Sequence, residues 1–363
     1  MTNEESEPKR PAATRAATMK DVAARVGVSI KTVSRVVNGH DDVHPDTRAR
    51  IEAAMKELNF RPNVMASMIR RRGGRTASIG LVVEDLANPF MAQLARAVAD
   101  SALCRQHLVL IGSSDGDPER ERELVAVFLT RRVDGLIIVP SGDDQSYLKA
   151  ETDRGLPIVF VDRLGQRIEA DAVVSDNASG TAQAVRHLLA HGHRRIGYLG
   201  DLRGFYTAQA RLQGYEEALR AATGGVDPRL VRMDVHTVAQ AEQEARALLG
   251  SDDPPTALLC GNNLITVGAL HALQALDLRQ KVALIGFDDQ DLAHLLTPAL
   301  TVVAQDVPAI GRTAAERLFL RLNAQPDEQA PYERLTIPVT LIPRGSGEIP
   351  AGAPAEHGDR ADR

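Results

Sequence analysis

The sequence predicts an α/β protein in two parts, a small N-terminal helix-turn-helix headpiece and then two doubly wound α/β lobes. Three observations predict it. Thr18–Gly39, TMKDVAARVGVSIKTVSRVVNG, reads as two short helices joined by a tight turn. From Ala77 onward, short apolar strand candidates alternate with amphipathic helices. Charge is divided between the parts: residues 1–77 hold 15 Lys and Arg against 9 Asp and Glu, in a chain whose formal charge is −5. A basic head on an acidic body suits contact with a polyanion at one end only. With 363 residues, 44% of them hydrophobic, the chain can build both the module and a large two-lobed core.

Residues 1–16 are polar and charged and are expected to be disordered. They have no apolar run of the kind a signal peptide needs, and no stretch of the chain reaches ~18 apolar residues, so export and membrane spanning are not expected. The headpiece is expected over 17–61. Thr18 can cap the first helix, with Asp21 facing the free amides of its first turn. Val22, Ala23 and Val26 share one face, Gly27 ends the helix, and Val28 is expected to be buried in the turn. Ser29 caps the second helix, whose Val33, Val36 and Val37 point inward and which Asn38-Gly39 stops.

The outward positions of that second helix are Ile30, Lys31, Ser34 and Arg35. Side chains at the start of such a helix meet base edges in the DNA major groove. Lys31 and Arg35 can donate to guanine O6 and N7, and Ile30 offers apolar contact to a thymine methyl. Thr18, Ser29 and Thr32 are short donors suited to phosphates. A plain helical hairpin would need none of this agreement between caps, turn length, apolar spacing and basic outward positions. A third helix follows from Pro45, with Ile51, Met55 and Leu58 at helical spacing.

VAARVGVSIKTVSRVVNG followed by HPDTRARIEAAMKELNFRPN closely resembles the DNA-binding headpiece of the LacI/GalR family of bacterial transcriptional regulators. The resemblance runs from about Thr18 to Ser346. His44 stands where the family usually has a serine-like cap, and Ile30 occupies a base-reading position that varies among members. The resemblance implies a hinge helix within residues 62–76 that folds on DNA and, paired with its dimer mate, enters the minor groove. Ile69, where the family usually has leucine, would wedge into a base step and is stiffer at χ1. Ala66 is small where paired hinge helices approach, and Arg70 opens a basic run, Arg70–Arg75, suited to phosphates. With Asn38, these complete the expected DNA-contacting set.

SIGLVVED, HLVLIGSS, VDGLIIVPS, PIVFVDR and AVVSDN are the strand candidates of a first lobe, with helices near Phe90–Ser101 and Pro118–Thr130. RIGYLGD, TALLCGN and KVALIGFDD form a second series, Thr301–Val307 with the helix after it reads as a return to the first lobe, and ERLTIPVTLI reads as one segment closing on the second. Such alternation means parallel sheets covered on both faces. The resemblance implies lobes of periplasmic-binding-protein type, with crossovers near 175, 304 and 332. The first lobe is then expected to span 77–175 and 304–331, the second 176–303 and 332–346, and 347–363 to be a disordered tail.

Ligands of open parallel sheets bind beyond the carboxyl ends of the strands. There lie Glu84-Asp85, Ser113-Ser114-Asp115, Asp162-Arg163, Asn262-Asn263 and Asp288-Asp289. Any one of these pairs can simply cap a turn. The resemblance assigns effector contacts to Asp85, Phe90, Asp162, Phe205, Thr207, Arg211, Asn262 and Asp288. An arginine with carboxylates and an asparagine suits a polyol, since each hydroxyl both donates and accepts. This favours a sugar or sugar derivative, with a purine or nucleoside as an alternative.

No cofactor or metal is expected. His191-Gly192-His193 reads as a turn, Cys104 and Cys260 are far apart and read as thiols of a reducing cytoplasm, and Asp115–Glu123 reads as the solvated face of a helix. No nucleophile elbow, Walker A loop or Rossmann fingerprint is present, so an enzyme is not expected. The expectation is a cytoplasmic, homodimeric, effector-responsive repressor acting on a palindromic operator. Two alternatives stand beside it: a regulator controlled mainly by a protein partner, and a ligand-binding protein without a DNA role.

Overall fold

The structure is a computed structural model that describes residues 17–37, 42–60, 75–325 and 330–352. Two compact units are present, residues 1–76 and 77–363. Asn38, Ala66, Ile69 and Arg70 lie outside the described residues.

The first unit contains three helices, α1 (Met19–Val26), α2 (Ile30–Val37) and α3 (Pro45–Glu57). Thr18 and Asp21 form a reciprocal capping box at the start of α1: the Thr18 amide donates to the Asp21 carboxylate at 2.7 Å, and the Asp21 amide to Thr18 Oγ1 at 3.3 Å. Gly27 ends α1 at φ +75°, a conformation that a side chain would penalise. Ser29 Oγ accepts the Thr32 amide at 3.1 Å and so caps α2. Val22, Ala23, Val26, Val33, Val36, Val43, Ile51 and Ala54 make the core. Val28, Val37, Met55 and Leu58 are only half-buried at its margin. His44 precedes α3 without a side-chain cap, as its departure from serine implies.

The second unit has two six-stranded sheets. The first lobe carries strands β1 (Ser78–Val83), β2 (Leu108–Ser113), β3 (Leu136–Ile138), β4 (Ile158–Val161), β5 (Asp171–Ser175) and β11 (Arg334–Ile337). Their order is β11-β5-β4-β3-β1-β2, all parallel. Its helices include α4 (Pro89–Leu103), α5 (Pro118–Thr130), the short α6 (Lys149–Asp153) and α11 (Val307–Asn323). The second lobe carries β6 (Ile196–Leu199), β7 (Val231–Arg232), β8 (Ala257–Cys260), β9 (Ala283–Phe287), β10 (Thr301–Gln305) and β12 (Val339–Ile342), in the order β12-β10-β9-β8-β6-β7 with β12 antiparallel. Its helices are α7 (Asn177–Ala190), α8 (Tyr206–Thr223), α9 (Val238–Leu249) and α10 (Asn263–Ala275). The β1, β3, β4 and β5 strands are buried along their lengths, which is why they read as near-continuous apolar runs.

Two expected boundaries fall elsewhere. β10 belongs to the second sheet, so the chain returns to the first lobe after Gln305, with α11 packed on α4. β11 belongs to the first sheet, beside β5, so the last crossover is at Pro338 rather than near 332. A proline cannot donate to either ladder and therefore separates two strands that read as one segment. The expected tail also begins later. His193 is buried and bonds Thr256 Oγ1 at 2.8 Å and the Ile349 carbonyl at 2.7 Å, and the Ala351 amide donates to the His191 carbonyl at 3.2 Å, so residues 347–351 are held on the second lobe. The His191–His193 turn thus has a clasping role.

Candidate functional site

The three crossovers lie side by side, and the sheets present their carboxyl ends to one interlobe cavity. Its walls include Glu84, Asn88, Phe90, Asp162 and Arg163 from the first lobe, and Asp201, Thr207, Arg211, His236, Asn262, Asn263, Asp288 and Gln305 from the second.

Asp162 and Asp288 follow β4 and β9, one in each lobe, and both adopt left-handed backbone, φ +66° and +73°. Each keeps its amide on the neighbouring strand, Asp162 to Val173 and Asp288 to Val303, both at 2.9 Å. That bond compensates a conformation that costs a non-glycine residue energy, and it turns both carboxylates into the cavity. Burial pushes the Asp162 carboxyl up to about 6, against the pull of Arg163 and Arg211. Asp288 accepts from Gln305 Nε2 at 2.6 Å and from the Asn263 amide at 3.3 Å.

Arg211 is buried on α8. It donates through Nε to Asn177 Oδ1 at 2.7 Å and through Nη1 to the Gly261 carbonyl at 2.5 Å, and its guanidinium lies 3.7 Å over the Phe287 ring. Asn177 Nδ2 in turn donates to the Ser175 carbonyl at 3.1 Å, at the first crossover. Ser175 bonds Gln305 at the second crossover. The polar groups of the cavity are therefore wired to the segments that join the lobes.

Several contacts span the lobes at the cavity mouth. Asn263 Nδ2 donates to Asn88 Oδ1 at 2.8 Å. The Arg163 guanidinium lies 3.6 Å over the Phe205 ring. His236 donates to Asp201 at 2.8 Å and faces Glu84 of the other lobe at 3.8 Å. The hydrogen bond to Asp201 raises the His236 pKa above its ordinary value.

Of the sequence-predicted residues, Phe90, Asp162, Thr207, Arg211, Asn262 and Asp288 line the cavity. Phe205 is buried beside it, between Arg163 and His236. Asp85 does not line it: the side chain is exposed and accepts the Ala87 amide at 2.8 Å, capping the turn before α4. Its neighbour Glu84 takes the place expected of it, because successive residues at a strand end point to opposite sides. Asp201, His236, Asn88 and Gln305 went unassigned. His236 follows a two-residue strand too short for any periodic signal, whereas Gln305 sits at a strand end and was legible in principle. The Asp115–Glu123 run is not wholly solvated either. Glu121 is 1% exposed and accepts the Ser141 amide at 2.5 Å and the Tyr147 hydroxyl at 2.8 Å.

In the headpiece, Ile30, Lys31 and Arg35 are exposed on α2 and Ser34 is half-buried. Arg35 pairs with Asp42 at 3.1 Å, both about half exposed.

Residues 18–63 match the bacterial regulatory proteins of the lacI family, and residues 185–347 a periplasmic binding protein-like domain. The ribose operon repressor of Haemophilus influenzae is 32% identical over 91% of this chain and 98% of its own length. The chain belongs to the LacI family. The transcriptional repressor CytR of Escherichia coli is 33% identical over 85% of this chain and 91% of its own. Among solved structures, the Lac repressor dimer bound to operator superposes with a TM-score of 0.80 at 28% identity, covering 92% of this chain and 99% of that one. A complex of the regulator CelR with cellobiose gives 0.67 at 31%, covering 91% and 99%. As a LacI-family member this chain is a ligand-responsive, DNA-binding transcriptional regulator, and its relatives are regulators rather than enzymes. No helix among the described residues is long and apolar enough to cross a membrane.

Proposed function

We propose that this protein is a repressor that binds a roughly palindromic operator as a homodimer and answers to a sugar or sugar derivative held between its lobes. The observation that carries this reading is the interlobe cavity, where acceptors from Asp162 and Asp288 face donors from Arg211 and Asn262. Such a mixture fits hydroxyl groups. Relatives named as ribose operon repressors favour a pentose, free or within a nucleoside. The exposed α2 face supports base reading by Ile30, Lys31 and Arg35. Ala66, Ile69 and Arg70 are proposed hinge contacts on the family resemblance alone.

Exposed leucines support the dimer: Leu103 at the end of α4 and Leu108 on the edge strand β2 of the first sheet, Leu292 and Leu295 on the second lobe. Effector binding changes the angle between lobes, and so acts on DNA only through its differential affinity for the two arrangements. A mobility-shift assay on the chain's own upstream DNA, with and without candidate sugars, tests the whole reading. Sugar-dependent retention is expected. Absence of binding at low salt defeats the repressor reading, and binding indifferent to every sugar defeats the effector reading.

A further inference from the structure

We infer that the effector is an uncharged, unphosphorylated sugar, and that Glu84, Asp162 and Asp201 make the cavity reject phosphate esters and sugar acids. The inference rests on the cavity being the effector site and goes further by naming the class that fits.

Four carboxylates, Glu84, Asp162, Asp201 and Asp288, border one cavity. An ionised carboxylate only accepts hydrogen bonds, so it welcomes a hydroxyl proton and repels a phosphate oxygen. The cations that might offset them are largely engaged. Arg211 is held by Asn177 through Nε, by the Gly261 carbonyl through Nη1 and by the Phe287 ring, which leaves Nη2 alone for a ligand. Arg163 is held by Glu84 through Nη2, by the Pro140 carbonyl at 3.2 Å through Nη1, and by the Phe205 ring. His236 is shared between Asp201 and Glu84. No lysine is among the lining residues.

A second donor is also unclaimed. Arg163 Nε is buried without a hydrogen-bond partner among the described residues, its nearest carboxylate being Asp162 at 3.6 Å. Arg163 is 5% exposed and lines the cavity. A single N–H suits one hydroxyl oxygen. It is not the two-pronged fork that arginine offers to phosphate, because both terminal nitrogens are occupied. A dianion would enter a space crowded with negative charge and would have to strip Arg163 from Glu84 to be neutralised. A polyol instead gives protons to Asp162 and Asp288 and accepts from Arg163 Nε and Arg211 Nη2.

The test is thermal shift and calorimetric titration of the full chain with ribose, xylose, glucose, galactose and adenosine, each beside its phosphate ester, and with ribonate. At least one neutral member is expected to bind, with its phosphate at least about 100-fold weaker. Glu84→Gln frees Arg163 Nη2 and is expected to narrow that gap about tenfold, while Asp85→Asn, outside the cavity, leaves it unchanged. A phosphate ester binding as tightly as its parent sugar overturns the inference and leaves the cavity as the effector site. Silence from every member overturns the sugar-effector reading itself, and the inference with it.

Discussion

Asp162 shows what one buried carboxylate does to a binding cleft. Its carboxyl titrates near 6 in the folded protein, raised from 3.8 chiefly by burial, with Asp288 and Glu84 adding to the rise and Arg163 and Arg211 opposing it. A folded-state pKa above the unfolded one means stability that is full below about pH 4 and lost as pH rises through 6. Asp162→Asn removes that titration. The stability difference between variant and parent should therefore move in the variant's favour between pH 4 and pH 8, by up to about 3 kcal/mol. Chemical denaturation at both pH values measures it, and a difference independent of pH would count against the assignment. Arg35 belongs to the same scale. Its half-exposed pair with Asp42 is of the kind worth less than about 1 kcal/mol, so the guanidinium is cheaply released to a base. Arg35→Ala should cost about 1–3 kcal/mol of operator affinity and relax preference at one base pair, whereas Asp42→Ala should cost none. Equal losses in fluorescence anisotropy on operator and scrambled DNA would make Arg35 a phosphate contact. At this scale strand-end position marked Asp162 and Asp288 as candidates, and the family resemblance chose them from among residues that could equally cap turns. It misled by one position at Asp85, because nothing in the local pattern says which of two adjacent carboxylates faces inward.

Elements were easier to read than residues, and the reasons lie in burial. Strands buried on both faces leave apolar runs that stand out between charged helices, so nearly all of both sheets was evident. The two-residue β7 leaves no period at all, and β11 and β12 read as one strand because both are only partly buried. Helix–helix approach was invisible, since it depends on which glycine meets which backbone. A Cβ at Gly214 of α8 would lie 2.2 Å from the Ala178 carbonyl of α7, backbone that cannot rotate away. Gly214→Ala should therefore destabilise the second lobe by about 1–3 kcal/mol. Gly204→Ala meets nothing within 4 Å and should be close to neutral. Similar melting temperatures for the two variants would mean that α7 and α8 can separate without cost.

At the scale of the whole molecule, the lobes are joined by three crossovers and pinned across the cavity mouth by a few polar contacts. The hydrogen bond from Asn263 to Asn88 is the plainest of these, at 2.8 Å, with Asn88 Oδ1 also capping α4 through the Phe90 amide at 3.0 Å. Closure thus reuses an acceptor that the fold already needs, which makes the closed arrangement sensitive to the donor alone. Asn263→Asp keeps the shape but places a carboxylate against that oxygen. The closed state should lose about 1–3 kcal/mol, the cost of losing that hydrogen bond and setting a carboxylate against an acceptor. An effector that binds the closed arrangement must then supply that energy, so its affinity falls about 5- to 150-fold. Both residues of this contact belong to the second unit, and the folding stability of the headpiece should be unchanged. Small-angle scattering should report a more open core without effector and recovery at saturating effector. Unaltered effector affinity in calorimetry would show that the lobes close through the Arg163–Phe205 and His236–Glu84 contacts without help from Asn263.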